Sequence, residues 1–188
     1  MPKRIDEDQL FETTVAVLAE SGYRATTTQE IAARAGVNEA TLFRRYRAKG
    51  ALINAALTHV LADSPFARVG VSADVTADLT ALVRAYVDTA DKYGGVVATL
   101  LAEVPRTPEL RGAMAALMPN LRNAAEVIAA HQRNGNLSVG DPLQKLIALI
   151  GPLLVFGLWA RTEAEPTVPS IDAGSVVADF LDGHRARR

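Results

Sequence analysis

Three observations predict an all-α protein. Aromatic residues make up only 5% of the 188 residues, while alanine is abundant. Apolar positions recur at helical spacing, and no run of Val, Ile or Thr is bounded by a hairpin turn signal. Start and stop signals along the chain place about nine helices, the first three grouped in a small head and the rest in a bundle.

Leu10, Phe11, Thr14, Val17, Leu18 and Ser21 follow the i, i+3/i+4, i+7 pattern of a one-sided helix, which Gly22 stops. Thr27 and Glu30 fit a capping box, with the hydroxyl and the carboxylate each satisfying a free backbone N–H at the start of the second helix. Gly36 ends that helix, and Asn38 is a good N-cap for the third. A longer apolar helix follows over 52–61, then a loop marked by Ser64-Pro65 and Gly70. Residues 74–92 read as one helix, which Gly94-Gly95 is expected to break, and 96–104 as a shorter one. Thr107-Pro108-Glu109 opens a helix running to His131, with Pro119 expected to kink or divide it. Asn134-Gly135-Asn136 and Gly140 form a loop before Asp141-Pro142 starts an apolar helix to Arg161. Pro166 and Pro169 punctuate before a last helix over 172–181.

Composition excludes several function classes. With no cysteine, the chain has no disulfide scaffold, thiolate metal site, iron–sulfur cluster or cysteine nucleophile. His59, His131 and His184 lack metal-ligand spacing, and there is no GxSxG, P-loop, GxGxxG or kinase-like set, so no metal, cofactor or enzymatic activity is expected. No secretory signal is visible, and the longest uncharged run, between Lys145 and Arg161, has 15 residues. A membrane-spanning helix needs ~20. A soluble cytoplasmic protein is the expectation.

Charge is distributed unevenly. The chain carries a net −1, yet residues 22–50 hold Arg24, Arg34, Arg44, Arg45, Arg47 and Lys49 against only Glu30 and Glu39. Within that cationic stretch, Ile31 to Leu42 has the features of a helix-turn-helix. Ala32 is small where two helices approach, Gly36 can adopt the positive φ of a tight turn, and Leu42 joins Ile31 and Val37 in a small core. Such a unit places its second helix in the DNA major groove. The run Thr41 to Lys49 adds four cations and no acid.

The stretch LFETTVAVLAESGYRATTTQEIAARAGVNEATLFRRYRAKGAL resembles the N-terminal domain of the tetracycline-repressor (TetR) family of bacterial transcription regulators. The resemblance covers about the first 55 residues without a gap. It rests on Gly22-Tyr23, Thr26-Thr27-Thr28, Ile31-Ala32, Ala35-Gly36-Val37, Thr41-Leu42-Phe43, Tyr46 and Lys49. It implies a helix-turn-helix DNA-binding domain over 1–50, and a helical effector-binding and dimerisation domain over 51–188. It also implies a homodimer that offers two recognition helices, about Glu39–Tyr46, to a palindromic double-stranded operator.

The residue chemistry supports roles within that frame. Thr27, Thr28 and Thr41 carry hydroxyls beside helix N-terminal N–H groups, suited to phosphate oxygens. Gln29 can pair with adenine, Glu39 can accept from the cytosine amino group, and Ala40 can meet a thymine methyl. For Glu39 a role confined to the helix dipole stands beside base contact. Arg44 and Arg45 are candidates for guanine or phosphate, and Lys49 resembles the family's phosphate-contacting lysine. Asn38, Phe43 and Tyr46 complete the candidate DNA-contact set, although Phe43 and Tyr46 also read as packing residues. Two departures stand out: Phe43 replaces the family's usual tyrosine, and Ala48 and Gly50 replace a serine cap and an acid around Lys49.

In the larger part, His59, Tyr86, Tyr93, Met114, Met118, Phe156 and Trp159 are candidates to line a pocket for a small lipophilic effector, with His131 beside them, and ordinary core is the competing reading for each. The helices near 141–161 and 172–182 are too apolar for the outer layer of a monomer, and by resemblance form the dimer interface, with no membrane involved. The function implied is a ligand-responsive DNA-binding regulator, in the first place a repressor. The alternative is a dimeric small-molecule-binding helical protein with little or no DNA binding.

Overall fold

A computed structural model describes residues 6–104, 107–160 and 170–184, and the described residues are helical without a strand. Eight α-helices follow in order: α1 (Glu7–Ala25), α2 (Thr28–Ala35), α3 (Glu39–Tyr46), α4 (Lys49–Ala62), α5 (Val75–Glu103), α6 (Arg111–Arg133), α7 (Pro142–Ala160) and α8 (Ala173–His184). Short 3-10 turns cover Pro65–Arg68 and Pro108–Leu110. The loop prolines Pro166 and Pro169 lie outside the described residues.

The chain forms two compact units. One runs to Asp63 and takes in Tyr93–Met118; the other is Ser64–Lys92 with the chain from Pro119 onward. In the first unit, Asp6 caps α1 by accepting from the Gln9 N–H at 3.2 Å. Gly22, at φ 71 and ψ 170, interrupts the helix where the sequence marks its end. The Gly22 carbonyl then accepts both the N–H and the hydroxyl of Thr26, the latter at 2.7 Å. α4 packs on α1, and Leu10, Leu18, Ile31, Leu42, Leu52, Ile53 and Leu57 share one core with Tyr93, Val96, Leu100, Leu110 and Ala113. At the start of α4, Ala48 gives no side-chain cap, as its residue type predicts.

Two expected breaks do not occur. α5 continues through Gly94-Gly95, and α6 through Pro119. Glycine inside a helix costs ~1 kcal/mol and proline ~3 kcal/mol. Those penalties are offset by what the flanks bury. Tyr93, Val96 and Leu100 on α5, and Ala113, Ala124, Val127 and Ile128 on α6, are all within 5% of complete burial.

In the second unit, Leu79, Leu82 and Val83 of α5 pack with Ala124 and Ile128 of α6, with Leu146, Leu149, Ile150 and Leu153 of α7, and with Val177, Phe180 and Leu181 of α8. Asp141 and Asp172 cap α7 and α8, the first accepting from Gln144 and the second from Gly174 and Ser175. α7 at 19 residues is long and apolar enough to cross a membrane by length and composition alone. It buries Leu146, Leu149, Ile150 and Leu153 within its unit, while Ile147 and, at its C-terminal end, Val155, Phe156, Leu158 and Trp159 are exposed.

A polar pin sits inside this unit. His131 is fully buried; its Nε2 lies 2.8 Å from Asp78 Oδ2, and its Nδ1 3.1 Å from the Asn136 amide nitrogen. Asp78 also accepts from the Ser72 N–H at 2.6 Å and the Ser72 hydroxyl at 2.7 Å. Both ring nitrogens are thus engaged, and the imidazole has no face left for a substrate. Burial pushes the Asp78 carboxyl upward, but the bonds from Ser72 and His131 outweigh it and hold the group below its ordinary value. A carboxylate with a lowered native pKa contributes stability above its unfolded pKa, and that contribution is lost as pH falls through the native one. Asp78→Ala is expected to lower unfolding free energy at pH 7 by about 1–3 kcal/mol, by leaving the buried Nε2 of His131 unpaired. In chemical denaturation the difference from wild type should shrink below pH 4, where the unfolded carboxyl is itself protonated.

Candidate nucleic-acid interface

The interface is built outward from the packing of α2 on α3. Ile31, Ala32, Ala35 and Leu42 are buried, with Val37 partly so, which fixes the rotation of both eight-residue helices. Gly36 joins them at φ 66 and ψ 32, the left-handed conformation that glycine adopts without a Cβ clash. Its N–H bonds to the Ala33 carbonyl and that of Val37 to the Ala32 carbonyl, the Schellman arrangement. Asn38 starts α3 by accepting from the Ala40 N–H at 2.8 Å.

With Leu42 inward, Ala40, Phe43, Arg44 and Arg45 are turned to solvent, beside exposed Thr27, Gln29 and Asn38 and half-buried Thr28, Glu39 and Thr41. Phe43 is 50% exposed, so this aromatic lies on the open face rather than in the core. The candidate set is therefore brought together on one edge of the head, with two exceptions.

The first is Tyr46. Its ring packs edge-to-face on Phe11 at 6.2 Å, and its hydroxyl is buried with no hydrogen-bond partner. Its place is in the packing of α3 on α1, because aromatic burial outweighs the loss of one hydroxyl bond. The second is Lys49, whose ammonium donates to the Tyr23 carbonyl at 2.6 Å and the Thr26 carbonyl at 2.9 Å, 4.2 Å from the Tyr23 ring centre. Burial holds that ammonium below the usual lysine range, against the opposing charge of Glu103. Two of its three donors close off the end of α1, a favourable place for a cation, and one remains for any outside acceptor.

Other partners reduce the cationic field further. Arg45 donates to Glu7 across α1 and α3, and Arg34 pairs with Glu20 at 2.6 Å and Glu30 at 2.8 Å. The Glu30 carboxylate therefore serves Arg34, and only the threonine half of the predicted capping box forms, with Thr27 accepting from the Glu30 N–H at 3.1 Å. Among the described residues Arg24, Arg44 and Arg47 make no ion pair and are exposed. Arg47 is absent from the candidate set although it lies in the same basic run. It ends α3 at φ 60, a left-handed residue that its sequence context does not announce. Glu7 was also missed, because nothing local to it signals a partner 38 residues away.

The candidate pocket residues are divided between the two units and several have other partners. His59 bonds to Asp8 at 2.8 Å on the surface of α4, and the Tyr93 hydroxyl donates to Glu12 at 3.2 Å in the core of the first unit. Met118 is half-buried at the edge of that unit. Tyr86 packs on Phe66 in the second, where burial pushes its hydroxyl up to about 12. Phe156 and Trp159 face outward from α7. The side chain of Met114 lies outside the described residues.

Two short helices turning on a left-handed glycine, with an apolar inner face and an exposed cationic outer one, define a helix-turn-helix protein. Residues 10–56 match the family described as bacterial regulatory proteins, tetR family, a match confined to this N-terminal domain. The HTH-type transcriptional regulator YvkB of Bacillus subtilis is 44% identical over 50 residues, which is 27% of this chain and 26% of the relative. Over nearly the full length the fold matches solved structures at lower identity. A TetR family transcription regulator from Marinobacter aquaeolei gives a TM-score of 0.69 at 18% identity, covering 97% of each chain. The fatty acid degradation regulator FadR from Bacillus halodurans gives 0.71 at 18%, covering 97% of this chain and 95% of that one.

The orphaned Tyr46 hydroxyl generates a test of its assignment. Tyr46→Phe removes a buried unsatisfied group at little change in shape, so stability should stay level or rise by up to about 1 kcal/mol. DNA affinity should not change. A loss of affinity, measured on the folded variant, would return Tyr46 to the interface.

Proposed function

We propose that this chain is a DNA-binding transcriptional regulator acting as a homodimer, a repressor on a palindromic operator that responds to a small lipophilic effector. The observation that carries the reading is the outer face of α3, where Ala40, Phe43 and unpaired Arg44 stand open over a buried Leu42. A folded domain gains nothing from displaying a half-exposed phenylalanine beside an uncompensated arginine, unless a partner supplies negative charge and apolar contact. The DNA major groove offers both, as phosphates and thymine methyls.

The dimer reading rests on α7. Val155 and Trp159 are 61% and 55% exposed at the end of a helix whose earlier turns are core, and α8 packs beside it without covering them. A second copy would bury them and, by two-fold symmetry, set the recognition helices about one DNA turn apart, ~34–36 Å. In this reading residues 1–50 read DNA and 51–188 hold the effector and the dimer contact, a functional division distinct from the two compact units. A coupling of ~1–3 kcal/mol between effector and operator would change DNA affinity about 5–150-fold.

Operator binding is tested on DNA from upstream of the protein's own coding sequence. Affinity should fall with salt, with log K losing about 0.9 per phosphate contact for each unit of log salt. Arg44→Ala should weaken binding by about fivefold or more. Arg45→Ala should cost less, because Glu7 already holds that guanidinium. Salt-independent or absent binding would leave a helical dimer that sequesters a small molecule. The dimer is tested separately: Val155→Glu with Trp159→Glu should give monomers in sedimentation at unchanged helix content.

A further inference from the structure

The first residues of α2 and α3 are joined side chain to side chain. The Thr28 hydroxyl donates to Glu39 Oε1 at 2.8 Å, across eleven positions of sequence. This bond has two consequences. The hydroxyl proton of Thr28 is committed to a carboxylate, so Thr28 cannot at the same time donate to a phosphate. And Glu39 enters any complex with its side chain already ordered, one oxygen held and Oε2 without a donor among the described residues.

We infer that Thr28 and Glu39 act as one reading unit that selects a C·G pair in each half of the operator. The inference rests on the DNA-binding reading above and specifies what that surface reads. The N-terminal residues of a recognition helix are the ones that reach base edges, and Glu39 is the first residue of α3. An ionised carboxylate only accepts. Guanine O6 and N7 and thymine O4 are acceptors too, and repel it. Adenine offers its N6 amino group beside its own N7 acceptor, whereas the major-groove edge of cytosine itself carries the N4 donor and no acceptor. Cytosine is thus the one base whose major-groove edge suits the free oxygen. The same charge opposes phosphate, so Glu39 weakens binding wherever no amino group meets it, which is how selectivity arises from a difference between right and wrong sites. The open Arg44, five residues further along α3, offsets the general repulsion. Holding one oxygen on Thr28 keeps the carboxylate from folding back toward solvent and lowers the ordering cost of the contact.

The experiment is selection from a randomised double-stranded DNA library with the full-length chain, followed by affinity measurements on the recovered sequences and their single-base variants. Wild type should recover a palindrome in which one position per half-site prefers C by about tenfold. Glu39→Gln should move the preference at that same position toward A, because an amide both donates and accepts. Thr28→Val should flatten the C preference several-fold, and Thr28→Ser, which keeps the hydroxyl, should restore it. Both substituted positions are at the domain edge, and retained preference elsewhere in the half-site shows that the variants are folded. If Glu39→Gln leaves every position unchanged, or tightens all sequences equally, the carboxylate is a repelling charge and the inference fails while the DNA-binding reading stands. If wild type recovers no sequence, the DNA-binding reading itself fails.

Discussion

The contact on which the N-terminal domain depends is the burial of Leu42 of α3 against Ile31, Ala32 and Ala35 of α2. It is small, involving helices of only eight residues that would be marginal alone. Yet it sets which side of α3 faces out, because a helix has one rotation that places Leu42 inward. That rotation is possible only if the chain reverses within the three residues from Gly36 to Asn38. The left-handed Gly36, followed by the Asn38 cap, supplies the reversal. A side chain at Gly36 would meet no neighbour, so the need for glycine there is conformational and not a matter of space.

Electrostatics within the head are mostly internal. The sequence places six cations over residues 22–50, but Arg34 and Arg45 are neutralised by acids from other helices, and Lys49 closes the end of α1. Exposed ion pairs of this kind contribute modestly to stability. Their effect is on where positive potential is left, at Arg24, Arg44 and Arg47. Counting charges along a sequence overstates the field whenever the acids that answer them come from distant segments, as Glu7 and Glu20 do here.

The all-helical class, the glycine stops at 22 and 36, the caps at Thr27 and Asn38 and the helix start at Asp141-Pro142 were legible in the sequence because each depends on residues within one turn of it. The uninterrupted α5 and α6 were not, since local propensity argues for breaks at Gly94-Gly95 and Pro119 and only tertiary burial overrides it. The candidate site was legible as a face. Its internal wiring was not: the Thr28–Glu39 and Glu7–Arg45 bonds and the inward turn of Tyr46 all depend on how separate helices meet. The scattered aromatic and methionine residues of the larger part showed least, because pocket lining and ordinary core use the same residue types.

The shared core of the first unit limits how freely this molecule could be recombined. Leu52, Ile53 and Leu57 pack in the same cluster as Val96, Leu100, Leu110 and Ala113, residues that follow some forty positions later. A chimera spliced just after the helix-turn-helix, carrying this head onto a foreign body, would strip half the lining from its own interior. Exchange of heads between such proteins should succeed only when the graft brings along, or the recipient already matches, the apolar surfaces of 93–118. Sequence drift in that distant stretch is therefore constrained by the head as much as by whatever the rest of the chain binds.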